Sequence, residues 1–330
     1  MFKTKLVAVA ALTGLFYAGG ASAAWAPDKP VEFVVASGPG GGTDIFARTI
    51  QSIISKNKMM SASIVVVNKG GGAGSEGFVH GGSEQTNPHR LVFGTNNQYL
   101  LPLVAKMGYS TDGFVPVAAM ALDEFLLWAN VNSPYKDAKS LIEAAKKGEG
   151  LRAGGSQSKD TDQTLISIVS EATGAKFTYI PYKSGGEAGI QLSGGHIDTN
   201  VNNPNESAGQ WKGNLVRPLC VFSDHRMAAG PKVTKDKGWS DIPTCVESGI
   251  PVENYQMPRT VWLPAGVSPE VVAFYSDLMS KVRQTPEWKE YIEKTSQTDT
   301  FMFGDELRQY ITKDTARAYG VFKREGWLAK

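Results

Sequence analysis

The sequence predicts an α/β protein of two domains, and three observations support this. Apolar strand-like runs alternate with helical patterns, glycine-rich turns follow several of the strands, and 330 residues are more than one core usually serves. Hydrophobic residues make up 42% of the chain and charged residues 20%. That balance excludes both a disordered chain and a polytopic membrane protein.

The chain opens with Lys3 and Lys5, an apolar stretch from Leu6 to Phe16, and the small residues Ala21-Ser22-Ala23. This is the pattern of a secretory leader over residues 1–23, cleaved near Ala23, and it predicts a periplasmic protein. The apolar stretch ends at Gly19-Gly20 and falls short of the roughly 20 residues that span a bilayer. No cysteine stands at the cleavage point, so no lipid anchor is indicated. Without the two leader lysines the basic residues only balance the 32 acidic ones, and no basic run occurs. Nucleic acid is therefore not an expected partner.

Val31 to Ala36 is a continuous apolar strand of the kind buried on both faces, followed by Ser37-Gly38-Pro39-Gly40-Gly41-Gly42 and a helix bearing Ile45, Phe46, Ile50, Ile53 and Ile54. Ser63 to Val67 is a second strand, Gly70 to Ser75 a second glycine turn, and Glu76 opens a short helix. Leu91 to Thr95 is a third strand. Such alternation predicts a parallel sheet with right-handed crossovers and a ligand beyond the carboxyl ends of its strands. Apolar runs between Val115 and Val131, separated by Asp123 and Glu124, mark a crossing into a second domain. There, a helix from Ala138 to Lys147, a glycine turn at Gly154-Gly155-Ser156, a helix from Thr161 to Ala172, and strands at Phe177–Ile180 and Ile197–Val201 repeat the scheme. Asn203-Pro204-Asn205-Glu206, Ser268-Pro269-Glu270 and Thr285-Pro286-Glu287 read as helix starts, and the chain ends helical.

A strand, glycine turn and helix in succession leave backbone N–H groups free at the positive end of the helix dipole, where an anion fits. Candidate ligand-binding residues are accordingly Ser37, Gly38, Gly40, Gly41, Gly42 and Thr43 in the first turn, Gly72, Ala73, Gly74 and Ser75 in the second, and Ser156 and Ser158 in the third. Taken singly, each turn is also readable as a tight turn and no more. Enzymatic readings find less support. Gly72-Ala73-Gly74-Ser75-Glu76-Gly77 matches a dinucleotide pattern, but no acid follows near residue 95 for a ribose hydroxyl. A secreted serine hydrolase using Ser75 or Ser156 remains the alternative, although Ala73 stands where the nucleophile elbow needs glycine. Asp44, Asp160 and Asp162 sit beside helix starts and suit capping. His80, His89, His196 and His225 share no ligand spacing, so no metal and no cofactor are expected. Cys220 and Cys245 are the two cysteines; an oxidising compartment permits a disulfide, and two buried thiols are the other possibility.

Several blocks, in this order and spacing, resemble the solute receptors of tripartite tricarboxylate transporters, the Bug-type periplasmic receptors. They are Trp25 to Pro30, Gly38 to Asp44, Val66 to Gly74, Ile180 to Gly186, Leu192 to Asp198, Arg217-Pro218-Leu219, Ile242 to Gly249 and Leu263 to Gly266. The resemblance implies a type II periplasmic-binding-protein fold, two α/β lobes around an interdomain cleft that closes on a small organic carboxylate. It implies no catalysis, a monomer, and delivery to large and small integral membrane subunits. With it, the mature chain divides into residues 24–121 in the first lobe, 122–254 in the second, and 255–330 returning to the first. In such receptors the turns matching Gly38 to Asp44 and Gly71 to Gly77 hold one ligand carboxylate, while positions matching Ser156 to Asp162 and Asn203 select the rest. Lys159, Thr161, Asp162 and Asn203 thereby join the candidates. Lys159 either meets a second carboxylate or stays in solvent, and Tyr99, Trp128 and Tyr182 either stack on an aromatic acid or belong to packing.

Overall fold

The structure is a computed structural model and describes residues 25–330; the leader and its cleavage point near Ala23 lie outside them. In chain order the elements are β1 (Val31–Val35), α1 (Gly42–Lys56), β2 (Ile64–Asn68), α2 (Ser75–Gly81), β3 (Arg90–Gly94), α3 (Asn97–Val104), β4 (Phe114–Glu124), β5 (Leu126–Asn130), α4 (Ala138–Lys146), β6 (Arg152–Ser156), α5 (Thr161–Thr173), β7 (Thr178–Tyr182), α6 (Gly185–Ser193), β8 (Thr199–Asn202), α7 (Pro204–Lys212), β9 (Val216–Val221), β10 (Gln256–Pro264), α8 (Pro269–Arg283), α9 (Pro286–Thr295), β11 (Thr298–Met302) and α10 (Gly304–Arg324).

Two sheets result, one of six strands in the order β11-β4-β10-β3-β1-β2 and one of five in the order β7-β6-β8-β5-β9. Parallel pairing holds at one end of each, where β1 lies between the edge strand β2 and β3, and β6 between the edge strand β7 and β8. The expectation of wholly parallel sheets is corrected beyond that. β10 pairs antiparallel with β3 and β4, β11 with β4, and β5 with β8 and β9. The reason is topological: β4 leads the chain out of the first sheet and β10 brings it back beside β4, so the two must run oppositely.

The apolar runs are buried as their composition demands. On one face of the first sheet Phe33 and Phe93 pack with Phe46 of α1 and Trp288 of α9; on the other, Val34 and Val92 pack with Phe78, Trp262 and Phe322. Helices thus cover both faces, which explains why β1 and β3 read as unbroken hydrophobic segments. The second sheet is likewise sandwiched, by Leu141 and Leu165 on one side and Leu192 and Trp211 on the other.

Three local readings need correction. Gly154 and Gly155 are not in a turn but inside β6, where ladders to β7 and β8 override the weak strand propensity of glycine. The strand expected at Phe177–Ile180 runs on through Pro181 to Tyr182 as β7; it is an edge strand, where a missing N–H is tolerated. The crossing between sheets occurs at Phe125, so a boundary between residues 121 and 122 falls inside β4. Cys220 and Cys245 form a disulfide. It fastens the end of β9 to the segment that returns after the irregular stretch 222–241, where Cys245 N–H also donates to Val221 O at 2.8 Å.

Candidate functional site

Between the two sheets lies a cavity of about 300 Å³ that both lobes line. In the first lobe β1, β2 and β3 are each followed by a turn and then by α1, α2 and α3. The lining residues Ser37, Gly38, Gly42 and Thr43, then Gly70, Ala73 and Gly74, then Thr95 and Asn97, come from these three turns. The carboxyl ends of three parallel strands thus converge on one wall, together with the starts of their helices.

The first turn is held from beneath. Gly40 N–H donates to Asp44 Oδ2 at 2.8 Å, and Arg48 Nε and Asn68 Nδ2 each donate to Asp44 Oδ1 at 2.9 Å. Burial pushes the Asp44 carboxyl upward, but these donors outweigh it and hold the group below the usual carboxylate range. Asp44 therefore shapes the turn and is not among the residues lining the cavity. In the second turn Gly74 has φ +94°, and a Cβ there would stand 2.5 Å from Ala36 O. Asn97 Nδ2 donates to Ala73 O at 3.0 Å and ties the second turn to the third.

At the floor lies Arg259 of β10, 7% exposed. Its Nη1 donates to Thr43 Oγ1 at 2.9 Å, Nη2 pairs with Asp123, and Nε is buried without a partner. A Cβ on Gly42 would come within 2.5 Å of Nη2, so glycine at that position is what admits the guanidinium. The sequence reading missed Arg259. It lies 216 residues from Thr43 in the chain, and only the return of β10 into the first sheet brings them together.

The second wall differs from expectation. Ser156, Thr161, Asp162 and Asn203 do line the cavity; Ser158 and Lys159 do not, and both are exposed. The backbone N–H groups of this turn are already engaged inside the protein. Ser156 N–H donates to Asp162 Oδ2 at 2.6 Å, Gln157 N–H to Tyr182 O at 2.8 Å, Lys159 N–H to Gln163 Oε1 at 2.7 Å and Thr161 N–H to Asp160 Oδ1 at 2.8 Å. A third glycine turn offering its backbone donors to an anion is thus corrected to a turn four of whose N–H groups are engaged inside the protein, two of them by Asp160 and Asp162. Asp160 caps the N-terminus of α5 by accepting from Thr161 N–H, and Asp162 lies in its first turn.

A third acid, Glu206 of α7, also reaches the cavity. As the third residue of its helix, its Oε2 accepts from Asn203 N–H at 3.3 Å, half of a capping box. Asn203 directs Nδ2 instead to Glu124 O at 2.8 Å, across the junction between lobes. Burial pushes Glu206 up to about 7, with Asn203 N–H and Arg259 opposing and Asp123 adding to the rise. Burial, reinforced by Glu206 and Asp160, pushes Asp162 well above the usual range, and burial raises Asp160 as well.

Of the remaining candidates Gly40, Gly41, Gly72 and Ser75 are not among the lining residues, and Gly40 and Gly72 are exposed. Tyr99 bonds Asp314 through its hydroxyl at 2.8 Å, Trp128 packs with Trp211 and Trp239, and Tyr182 lies outside the lining, so none of them faces the cavity. Phe78, Phe125 and Met257 supply its apolar surface. Among the described residues no histidine lines the cavity, and the carboxyl beside Ser156, that of Asp162, is engaged by the Ser156 N–H. A larger hollow of about 600 Å³ lies between the segment 225–233, α9 and β11, away from the strand ends.

Residues 46–326 match the model of a family described as tripartite tricarboxylate transporter family receptor. Protein BugT of Bordetella pertussis is 25% identical over 340 residues, covering 99% of each chain. Among solved structures, an R. palustris protein with adipate aligns with a TM-score of 0.76 at 23% identity, over 91% of this chain and 98% of that one. MatC from Rhodopseudomonas palustris with bound malate aligns with a TM-score of 0.73 at 20% identity, over 89% and 99%.

Proposed function

The chain belongs to the tripartite tricarboxylate transporter receptor family, and from that premise we propose that it is exported, captures a small organic carboxylate between its lobes and delivers it to a membrane transporter. Its fold is that of two-lobed periplasmic binding proteins, and its family is one of receptors rather than enzymes. In this reading residues 1–23 are the export leader, the chain acts as a monomer, and the delivery partners are a large and a small integral membrane subunit.

The observation that supports capture of a carboxylate is the first-lobe wall. A buried guanidinium with an unpartnered Nε lies under three converging helix starts, a setting in which a carboxylate replaces lost hydration with preorganised donors. The malate and adipate of the related structures are carboxylates of a size suited to such a cavity.

A thermal-shift screen over mono-, di- and tricarboxylates, aromatic ones included, tests the proposal. At least one carboxylate is expected to raise the melting temperature in a concentration-dependent way, without being consumed. A screen in which no carboxylate shifts the transition overturns the reading, as does turnover of an ester at Ser156 or Ser75, which would restore the hydrolase.

A further inference from the structure

The two walls of the cavity are chemically unlike. The first presents a guanidinium and helix starts. The second presents carboxyl groups that each hold one oxygen on the backbone and face the cavity: Asp162, 5% exposed, through Oδ2 on Ser156 N–H, and Glu206 through Oε2 on Asn203 N–H. Since several N–H groups of the neighbouring turn are engaged internally and Lys159 lies in solvent, the charged groups this wall offers a ligand are carboxyls, set among the hydroxyls of Ser156, Thr161 and Ser184.

Charge points the same way. Arg259 is already matched by Asp123, so a dianion would enter a cavity where Asp160, Asp162 and Glu206 face it with no free cation on their side. An isolated ammonium group meets the opposite situation: two carboxyl acceptors, Asp162 buried and Glu206 half-buried, and no cation lining that wall. Nor do the acids converge for a metal, because among the described residues no group of three or more His, Cys, Asp or Glu side chains is arranged to hold one.

Resting on the receptor reading above, we propose that Asp162 and Glu206 recognise a protonated amine, and that the ligand is an aminocarboxylate whose carboxylate faces Arg259 and the glycine turns. The zwitterion brings no net charge into the cavity. Its amine takes the place that a second carboxylate would occupy in a diacid.

The groups facing Glu206 are Asp162 of α5, Asp123 of β4 and Arg259 of β10. With Glu206 ionising near neutrality, an ammonium ligand favours the ionised carboxyl, so its affinity rises with pH. A diacid needs the carboxyl protonated as a donor, and its affinity falls with pH.

Titration calorimetry on matched pairs tests this, using 3-aminopropanoate against succinate, 4-aminobutyrate against glutarate, and 4-(aminomethyl)benzoate against terephthalate, at about pH 6 and about pH 8. At least one aminocarboxylate is expected to bind its partner's site about tenfold or more tightly than that partner, and more tightly at the higher pH. In Asp162→Asn and in Glu206→Gln, each an isosteric change that keeps the backbone bond, the preference is expected to shrink to within about threefold. Two variants on different helices guard against one that fails to fold, which the melting curve reports. Diacids that bind more tightly than their amino partners, tighter binding at the lower pH, or a preference unchanged in both variants would overturn the proposal while leaving a carboxylate receptor standing. Absence of binding by every member of both series would overturn the receptor reading and this proposal with it.

Discussion

Glu206 ties the stability of the ligand-free protein to pH. Burial raises its carboxyl from 4.5 to about 7, so between these values the folded chain holds a proton that the unfolded chain has released. Where the native state binds more protons, stability falls as pH rises, and the loss is complete above the folded value. Asp162 and Asp160 shift in the same direction and add to the slope. Urea unfolding of Glu206→Gln is therefore expected to show a shallower decline between about pH 5 and about pH 8, and a gain over the parent of up to about 3 kcal/mol at the higher pH. Identical slopes in the two proteins would locate the proton elsewhere. Neither Glu206 nor Arg259 was legible as a site residue from the sequence. Glu206 announced itself as a capping acid at the third position of a helix, which it is, but that a capping acid also faces a cavity depends on which end of α7 meets the cleft.

The glycine turns were legible because their composition states a backbone requirement, yet composition does not say which glycines serve the fold and which the ligand. Gly74 serves the fold: its φ of +94° and the 2.5 Å approach of a Cβ to Ala36 O make Gly74→Ala a strained substitution. A loss of about 1–3 kcal/mol is expected in denaturant melts. Gly38 lines the cavity and has nothing within 4 Å of a built Cβ. Gly38→Ala is expected to stay within about 0.5 kcal/mol of the parent in stability while weakening ligand binding, since its methyl group enters the cavity. Calorimetric affinities beside the melts decide this, and a Gly38→Ala protein with full affinity would remove the first turn from the site. Among strands, β1, β2 and β3 were legible from unbroken β-branched and aromatic runs. β10 was not, because Pro258 and Pro264 argue against a central strand; the chain accommodates Pro258 beside a register shift at Arg259 and Thr260. The third turn was misread for a related reason, since Gly154 and Gly155 look like loop until a neighbouring ladder claims them.

The closure that the receptor reading calls for depends on how the lobes are joined. The crossing at Phe125 and the returning segment at Phe222 and Tyr255 are bound together, Phe222 N–H donating to Phe125 O at 2.9 Å and Tyr255 N–H to Phe222 O at 3.0 Å. Phe125 and Tyr255 pack edge to face with centroids 5.5 Å apart. In the proposed receptor this ribbon would be the axis of closure, and Arg324 of α10 reaches across to Glu171 of α5 in the other lobe. That pair is exposed enough to contribute only about 0–1 kcal/mol, so it biases the lobes without locking them. A ligand that touches Arg259 on one wall and Glu206 on the other has most of its contacts only when the walls are near, and its differential affinity is what shifts the population. Because both described cysteines are in the disulfide, spin labels placed at Ser55→Cys on α1 and Lys212→Cys on α7 would report one distance between lobes. Saturating ligand is expected to narrow that distance distribution and move it inward, and Arg259→Met is expected to abolish the response. A distribution unmoved by a ligand that binds would mean that the cavity is a preformed slot, with the ribbon serving as a strut instead of a hinge.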